Sequence, residues 1–126
     1  MAKVPYKPAG YHAVTPYLVV RDVPRLIDFV CEAFGAIEVE RSKLPDGTVT
    51  HAEVRIDDSI LMMGSARGPW EPTQTTLYLY VPDADQAYRS ALRAGGTSLR
   101  EPANQFYGDR SGGVKDPQGN QWWVAT

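Results

Sequence analysis

The sequence predicts an α+β protein built from two tandem βαβββ units. Three observations lead to this prediction: a strand–helix–three-strand pattern occurs twice, equivalent residues are 61 positions apart, and turn residues fall at matching places in both copies. The chain has 126 residues, of which 43% are hydrophobic, which suits one domain with a substantial core. We expect unit one at about residues 11–64, a linker at 65–74 and unit two at about 75–126.

The first unit begins with a predicted strand over residues 14–20. A helix follows because Asp22 is a good N-cap, Pro24 fits the first turn, and apolar residues then recur at helical spacing until Gly35. Three further strands are predicted, and they are separated by Pro-Asp-Gly and Asp-Asp turns. These strands cover residues 37–44, 50–56 and 59–64.

The second unit repeats this order. A strand over residues 75–81 leads to a helix that Asp83 caps, with Gln86 in capping-box position, and Gly95-Gly96 ends the helix. Strands are expected at residues 97–100, 111–115 and 120–125. The loop between the first two of these, residues 101–109, could form a lid.

The constant spacing extends from strands to caps and turns. Tyr17 and Tyr78, Asp22 and Asp83, and Gly35 and Gly96 are all 61 positions apart. In each first strand the aliphatic residues should pack on the helix, and the Thr and Tyr residues should face the other way. Two such sheets side by side, with the helices outside, would form an open barrel-like trough, which is a common form of small-molecule site.

Several motifs in this order resemble a known family. Residues 22–29, the Phe-Gly-Ala helix end at 34–36 and the Asp-Pro-Gln-Gly-Asn turn at 116–120 are similar to the vicinal oxygen chelate superfamily, which includes glyoxalase I, extradiol dioxygenases and bleomycin-resistance proteins. Residues 15–18, 51–56 and 108–110 resemble its PhnB-like, glyoxalase/bleomycin-resistance branch most closely. The resemblance implies the tandem βαβββ fold and leaves the activity open.

The resemblance also implies where a metal would bind in metal-dependent members. The corresponding positions here are Thr15, Met62, Thr76 and Trp123. A neutral hydroxyl, a thioether and an indole are poor ligands for a hard divalent ion. We therefore expect no metal cofactor. The alternative is a divalent metal at a relocated site around His51 and Glu53, with His12 as a further candidate ligand.

The candidate ligand-binding residues are those that strand parity directs into the trough or that lie in the long loop of unit two. They are Tyr17, His51, Glu53, Arg55, Met62, Tyr78, Tyr80, Tyr107, Arg110 and Trp123. Each has a structural alternative, such as core packing, an exposed sheet pattern, or an ion pair between Arg110 and Asp109 or Asp116. No catalytic residue is assigned, although His51 and Glu53 could form an acid/base pair.

These observations favour a metal-free protein that binds a small, partly aromatic organic molecule, similar to antibiotic or toxin sequestration by bleomycin-resistance proteins. The alternatives are a lyase, isomerase or dioxygenase that uses His51 and Glu53, and a scaffold with a vestigial cleft. A net charge of −2 without a basic stripe gives no support for nucleic acid or membrane partners. The single cysteine, Cys31, and the absence of an apolar run in residues 1–12 indicate a cytoplasmic protein. The resemblance also implies a homodimer.

Overall fold

The computed structural model describes residues 4–126, so residues 1–3 of the N-terminal stretch interpreted above lie outside it. The described part of the chain contains eight strands and two helices, in the predicted order. They are β1 (Tyr17–Val20), α1 (Val23–Phe34), β2 (Ile37–Lys43), β3 (Val49–Ile56), β4 (Ser59–Ser65), β5 (Thr76–Tyr80), α2 (Ala84–Arg93), β6 (Thr97–Asn104), β7 (Arg110–Lys115) and β8 (Gln121–Ala125). The predicted α+β class with two βαβββ units is confirmed.

The strands form two open four-stranded sheets of identical topology, ordered β1-β4-β3-β2 and β5-β8-β7-β6. In each sheet the first strand runs parallel to the last, and the other neighbours are antiparallel. Tyr17 is opposite Met62 in the first sheet, and Tyr78 is opposite Trp123 in the second. The two pairs are related by the 61-residue spacing, so the duplication extends to strand register.

Both helices begin and end where local chemistry predicts. The carboxylates of Asp22 and Asp83 accept hydrogen bonds from the backbone N–H of Arg25 and Gln86, each at 3.1 Å. Gly35 adopts a left-handed conformation with φ of 67° at the end of α1, which an L side chain would disfavour. The two N-caps fix where each helix begins, and Gly35 turns the chain from α1 toward β2.

The two units meet through their helices, and no hydrogen-bonded strand pair joins the two sheets within residues 4–126. The ring centroids of Phe34 on α1 and Trp122 on β8 are 5.0 Å apart, and the Arg25 guanidinium donates to the carbonyl of Ala94 at 3.0 Å. A single hydrophobic core includes residues from both units. The sequence had led us to expect both helices outside a shared trough, and this contact between the two helices was not part of that prediction.

Two element boundaries differ from the sequence prediction for identifiable reasons. Strand β1 begins at Tyr17 instead of residue 14, because Pro16 has no N–H to donate and the Thr15 hydroxyl donates to the carbonyl of His12 in a turn. Strand β6 continues past Pro102 to Asn104, so the predicted loop over residues 101–109 shrinks to 105–109. An irregularity in the β6–β7 register accommodates the proline at this sheet edge.

The helices face the core, which leaves the opposite face of each sheet open to solvent. Tyr17, Tyr78 and Tyr80 are on average about half exposed on these faces, whereas Leu18 and Val20 of the first strand are buried. The open faces therefore hold accessible aromatic and polar groups of the fold.

Neither helix in residues 4–126 is long and apolar enough to cross a membrane.

Candidate functional site

A chain of hydrogen bonds runs across the open face of the first sheet. The Tyr17 hydroxyl lies 3.3 Å from Nδ1 of His51, and Nε2 of the same ring lies 3.2 Å from Oε2 of Glu53. The hydroxyl of Tyr11, in the segment before β1, donates to Oε1 of Glu53. Alternation along β3 aims His51 and Glu53 at the same face, as predicted. Tyr11 could not be predicted from the sequence, because the segment that contains it has no periodic pattern.

Glu53 is the most constrained member of this chain. Only 7% of the residue is exposed, and its two carboxylate oxygens contact Tyr11 and His51. The hydrogen bond to Glu53 is the main cause of a raised pKa for the Tyr11 phenol, with burial and the negative charges of Glu53 and Glu40 adding to it. The carboxylate therefore holds both neighbours in place and keeps Tyr11 protonated.

Glu40 adds a third potential metal ligand that the sequence analysis missed. One ligand atom from each of Glu40, His51 and Glu53 lies within 4.8 Å of the others. Glu40 pairs with Glu53 across strands β2 and β3, beside an irregularity in register that a sequence pattern does not show. Carboxylate and imidazole groups are common ligands of divalent metal ions. The third potential ligand beside His51 and Glu53 is therefore Glu40 and not His12.

The open face of the second sheet is rich in tyrosine. The hydroxyls of Tyr78 and Tyr80 both donate to Oδ2 of Asp109, at 2.8 Å and 3.2 Å. Burial, then hydrogen bonds with Tyr107 and Asp109, raise the pKa of Tyr78, and the charge of Asp109 raises that of Tyr80. The Tyr107 phenol has a lowered pKa, first through Ser111 and then through Tyr78. The three predicted tyrosines therefore lie together around Asp109.

Trp123 lies on the same face and stacks against a cation. The Arg100 guanidinium carbon is 4.9 Å from the indole centroid, and an Arg100 nitrogen donates to the Ser111 hydroxyl at 2.6 Å. A Cβ on Gly113 would lie 2.6 Å from the indole ring, so glycine makes room for Trp123. Trp123, a predicted ligand-binding residue, is thus part of a Trp–Arg stack on the second sheet.

Thr15, Met62, Thr76 and Trp123 occupy the positions that correspond to metal ligands in metal-dependent members, and we call them the inherited metal positions. They do not suit a divalent ion. Thr15 precedes strand β1 and hydrogen-bonds to His12, and the Trp123 indole N–H donates to Gln121 at 3.2 Å. A guanidinium stacked on Trp123 would also repel a second cation there. Met62 and Thr76 add only a thioether and an exposed hydroxyl. The residues present do not fit the metal that the fold family implies.

Two cavities open on the face of the first sheet. The larger has a volume of about 500 Å³ and is lined by Tyr17, Val19, Thr50, Gly64, Ser65, Arg67 and Trp70. The smaller, of about 360 Å³, contains Glu53 and Met62 beneath the N-terminal segment, with Tyr11 and His12 at its wall. Tyr17, Glu53 and Met62 therefore line cavities on the open face of the first sheet.

The two predicted arginines, Arg55 and Arg110, do not line these cavities. Arg110 forms a bidentate ion pair with Asp85 on α2, at 2.8 and 3.0 Å, so the expected partners Asp109 and Asp116 were wrong. Asp116 is almost fully buried, and its carboxylate accepts a hydrogen bond from the Trp122 indole N–H at 2.8 Å. Arg55 is exposed at the far end of β3. His12 lines the smaller cavity together with Glu53, but its ring pairs with Asp58 at 3.9 Å.

Comparison with known proteins assigns the fold to a family. The Glyoxalase/Bleomycin resistance protein/Dioxygenase superfamily matches residues 11–124, and the chain belongs to this superfamily. Protein Mb0911c of Mycobacterium bovis is 37% identical, over 87% of this chain and 80% of its own length.

Solved structures share the architecture. TioX from Micromonospora sp. ML1 is 22% identical with a TM-score of 0.78, and the match covers 90% of this chain and 97% of TioX. A gene product from Arabidopsis thaliana is 26% identical with a TM-score of 0.73, over 91% of this chain and 98% of its own. The superfamily's name includes both a resistance protein and enzymes, so membership alone does not tell whether this chain is a binding protein or an enzyme.

Proposed function

We propose that this protein binds a small, partly aromatic organic molecule without a metal, as a sequestering protein of the bleomycin-resistance type in the PhnB-like branch. The observation that carries the proposal is the cavity of about 500 Å³ against Tyr17 and Trp70, on a sheet face whose inherited metal positions lack competent ligands. A cavity of this size suits a drug-sized ligand. Sequestration needs affinity alone and no acid/base chemistry.

The aromatic groups on the second sheet support the same proposal. Tyr78 and Tyr80 pack edge to face with centroids 5.3 Å apart, and Tyr107 beside them is 53% exposed. Exposed aromatic groups that are held in place by hydrogen bonds offer flat contact area at little entropic cost. A ligand or a second copy of the chain would cover them.

We propose that the protein is a homodimer, and a monomer by light scattering at micromolar concentration would contradict this.

The test is a thermal-shift screen of hydrophobic and aromatic compounds. A ligand that binds only the folded protein raises Tm, by an amount that grows with its concentration relative to Kd. We expect hits among planar aromatic compounds and weaker shifts in a Trp70→Ala variant. A broad screen without any shift would contradict binding as the function.

A second candidate function is an enzyme that uses His51 and Glu53, and one observation favours it. Glu53 is buried and contacts the His51 imidazole at 3.2 Å, while Tyr17 touches the other ring nitrogen. A carboxylate that orients an imidazole is the arrangement of many general bases. With Glu40, the same residues could instead bind a divalent ion.

The two candidates are separated by elemental analysis of protein purified without a tag or chelator, together with a His51→Ala variant. Substoichiometric metal in the wild type supports the metal-free binding protein. One metal per chain, lost in the His51→Ala variant, would place the enzyme first. Turnover that disappears in this variant while Tm is retained would support metal-free acid/base chemistry.

A further inference from the structure

The larger cavity owes its outer wall to the linker between the two units. This segment folds back over β1: the N–H of Ala66 donates to Val20 at 2.8 Å, and that of Thr73 donates to Val19 at 3.0 Å. Between these bonds, the Trp70 N–H donates to the carbonyl of Arg67 at 3.0 Å and closes a tight turn. Residues 67 and 70 also form an isolated antiparallel bridge, which presents both side chains at the same cavity.

The walls of this cavity combine aromatic surface with an uncompensated cation. Tyr17 is 50% exposed and Trp70 67% exposed, so both rings are available for stacking. The Arg67 guanidinium has no ion pair or side-chain hydrogen bond within residues 4–126, and no acidic residue of that range lines the cavity. Glu71 follows Trp70 in sequence but neither lines the cavity nor pairs with Arg67.

Ser65 also lines this cavity, but its hydroxyl oxygen is buried and has no hydrogen-bond partner among the described residues. Ser65 is opposite Val20 in the parallel β1–β4 register, and Val20 packs in the core, so alternation directs the Ser65 side chain away from the face that carries Tyr17. The Arg67 guanidinium therefore supplies the positive charge at this cavity, and an anion accepts hydrogen bonds from it.

We propose that this cavity binds a planar aromatic anion, with its ring against Tyr17 and Trp70 and its acid group toward Arg67. The inference rests on the proposed small-molecule binding and adds the charge and shape of the ligand. Guanidinium binds carboxylate, sulfonate and phosphate groups in the same forked geometry, so the shared feature is a planar ring that carries an oxyanion.

The experiment uses calorimetric titration with three probes of equal ring size: 2-naphthoate, 2-naphthamide and 2-naphthylmethylammonium. We expect the anion to bind roughly ten- to a hundred-fold more tightly than the amide, the range for a charge-assisted hydrogen bond to arginine. The cation should bind least. Arg67→Gln should bring the anion to the level of the amide. Arg89→Gln, which removes the same charge from an exposed position on α2, should change nothing.

The outcomes separate this inference from the proposed function. Equal binding of naphthoate and naphthamide, or retained anion preference in Arg67→Gln, would overturn the anionic ligand class while aromatic binding stands. If none of the three probes binds at millimolar concentration, both the inference and the proposed binding function are contradicted. A replacement of naphthoate by 2-naphthalenesulfonate or 2-naphthyl phosphate then ranks the acid groups.

Discussion

Tyr17 lies across Gly64 to reach His51. A Cβ on Gly64 would be 2.5 Å from the Tyr17 hydroxyl and about 3.0 Å from its ring, whereas the hydroxyl is 3.3 Å from Nδ1 of His51. Gly64 is opposite His51 in the β3–β4 register, so the absence of a side chain there is what lets the two rings approach. The same glycine lines the larger cavity.

Gly64→Ala should therefore displace Tyr17 and lower the free energy of unfolding by about 1–3 kcal/mol, the usual range for overpacking. Urea denaturation would measure the loss. In the Tyr17→Ala background the same glycine change should cost much less, because the ring that it strikes is gone. An equal cost in both backgrounds would show that the strain does not come from Tyr17.

Tyr11→Phe should destabilise the fold by about 1–3 kcal/mol, because it leaves one oxygen of buried Glu53 without its donor. Tyr6→Phe is the matched control, since Tyr6 is 96% exposed. Both variants would be compared by urea denaturation at neutral pH. Equal stability of the two would mean that the Tyr11 contact is not maintained in solution.

Asp109→Asn should let two tyrosines ionise at lower pH. Burial and the hydrogen bond with Tyr107 are the main causes of the raised pKa of Tyr78, and Asp109 raises it further, whereas the Asp109 charge is the main cause for Tyr80; both pKa values lie above the ordinary value of about 10. A raised phenol pKa in the folded state favours folding fully below the unfolded pKa, and this contribution is lost as pH rises toward the folded value. Ultraviolet titration of phenolate absorbance would measure the shift. Asp28→Asn, on the exposed side of α1, should leave the titration unchanged.

Ser65→Ala should stabilise the free protein and leave ligand binding unchanged. Removal of a buried hydroxyl without a partner should raise the free energy of unfolding by about 1 kcal/mol, and 2-naphthoate should bind as tightly as to the wild type because this hydroxyl does not face the cavity. Ser111→Ala is the control, because its hydroxyl accepts from Arg100 at 2.6 Å and its loss should destabilise. A loss of stability in Ser65→Ala would show that this hydroxyl does have a partner.

The repeat made most of the fold predictable. A shared spacing predicted that Met62 and Trp123 occupy equivalent strand positions, and the register places them opposite Tyr17 and Tyr78. Local chemistry predicted both helix caps, because an N-cap depends on neighbours three residues away.

Side-chain partners far apart in sequence were harder to predict. Arg110 pairs with Asp85 because α2 packs behind β7, which no local pattern reveals. Tyr11 reaches Glu53 from a segment without periodicity, and Arg67 lies in what composition describes only as a linker. These contacts depend on how whole elements pack, so the cavity emerged only from the three-dimensional arrangement.

The most direct test of a metal-free binding site is the ligand-induced shift in Tm measured before and after exhaustive dialysis against a chelator. We predict that a screening hit raises Tm by the same amount in both preparations, and that added divalent ions do not change the shift. If chelation abolishes the shift and a divalent ion restores it, ligand binding requires a metal, and the Glu40–His51–Glu53 cluster becomes the centre of the site.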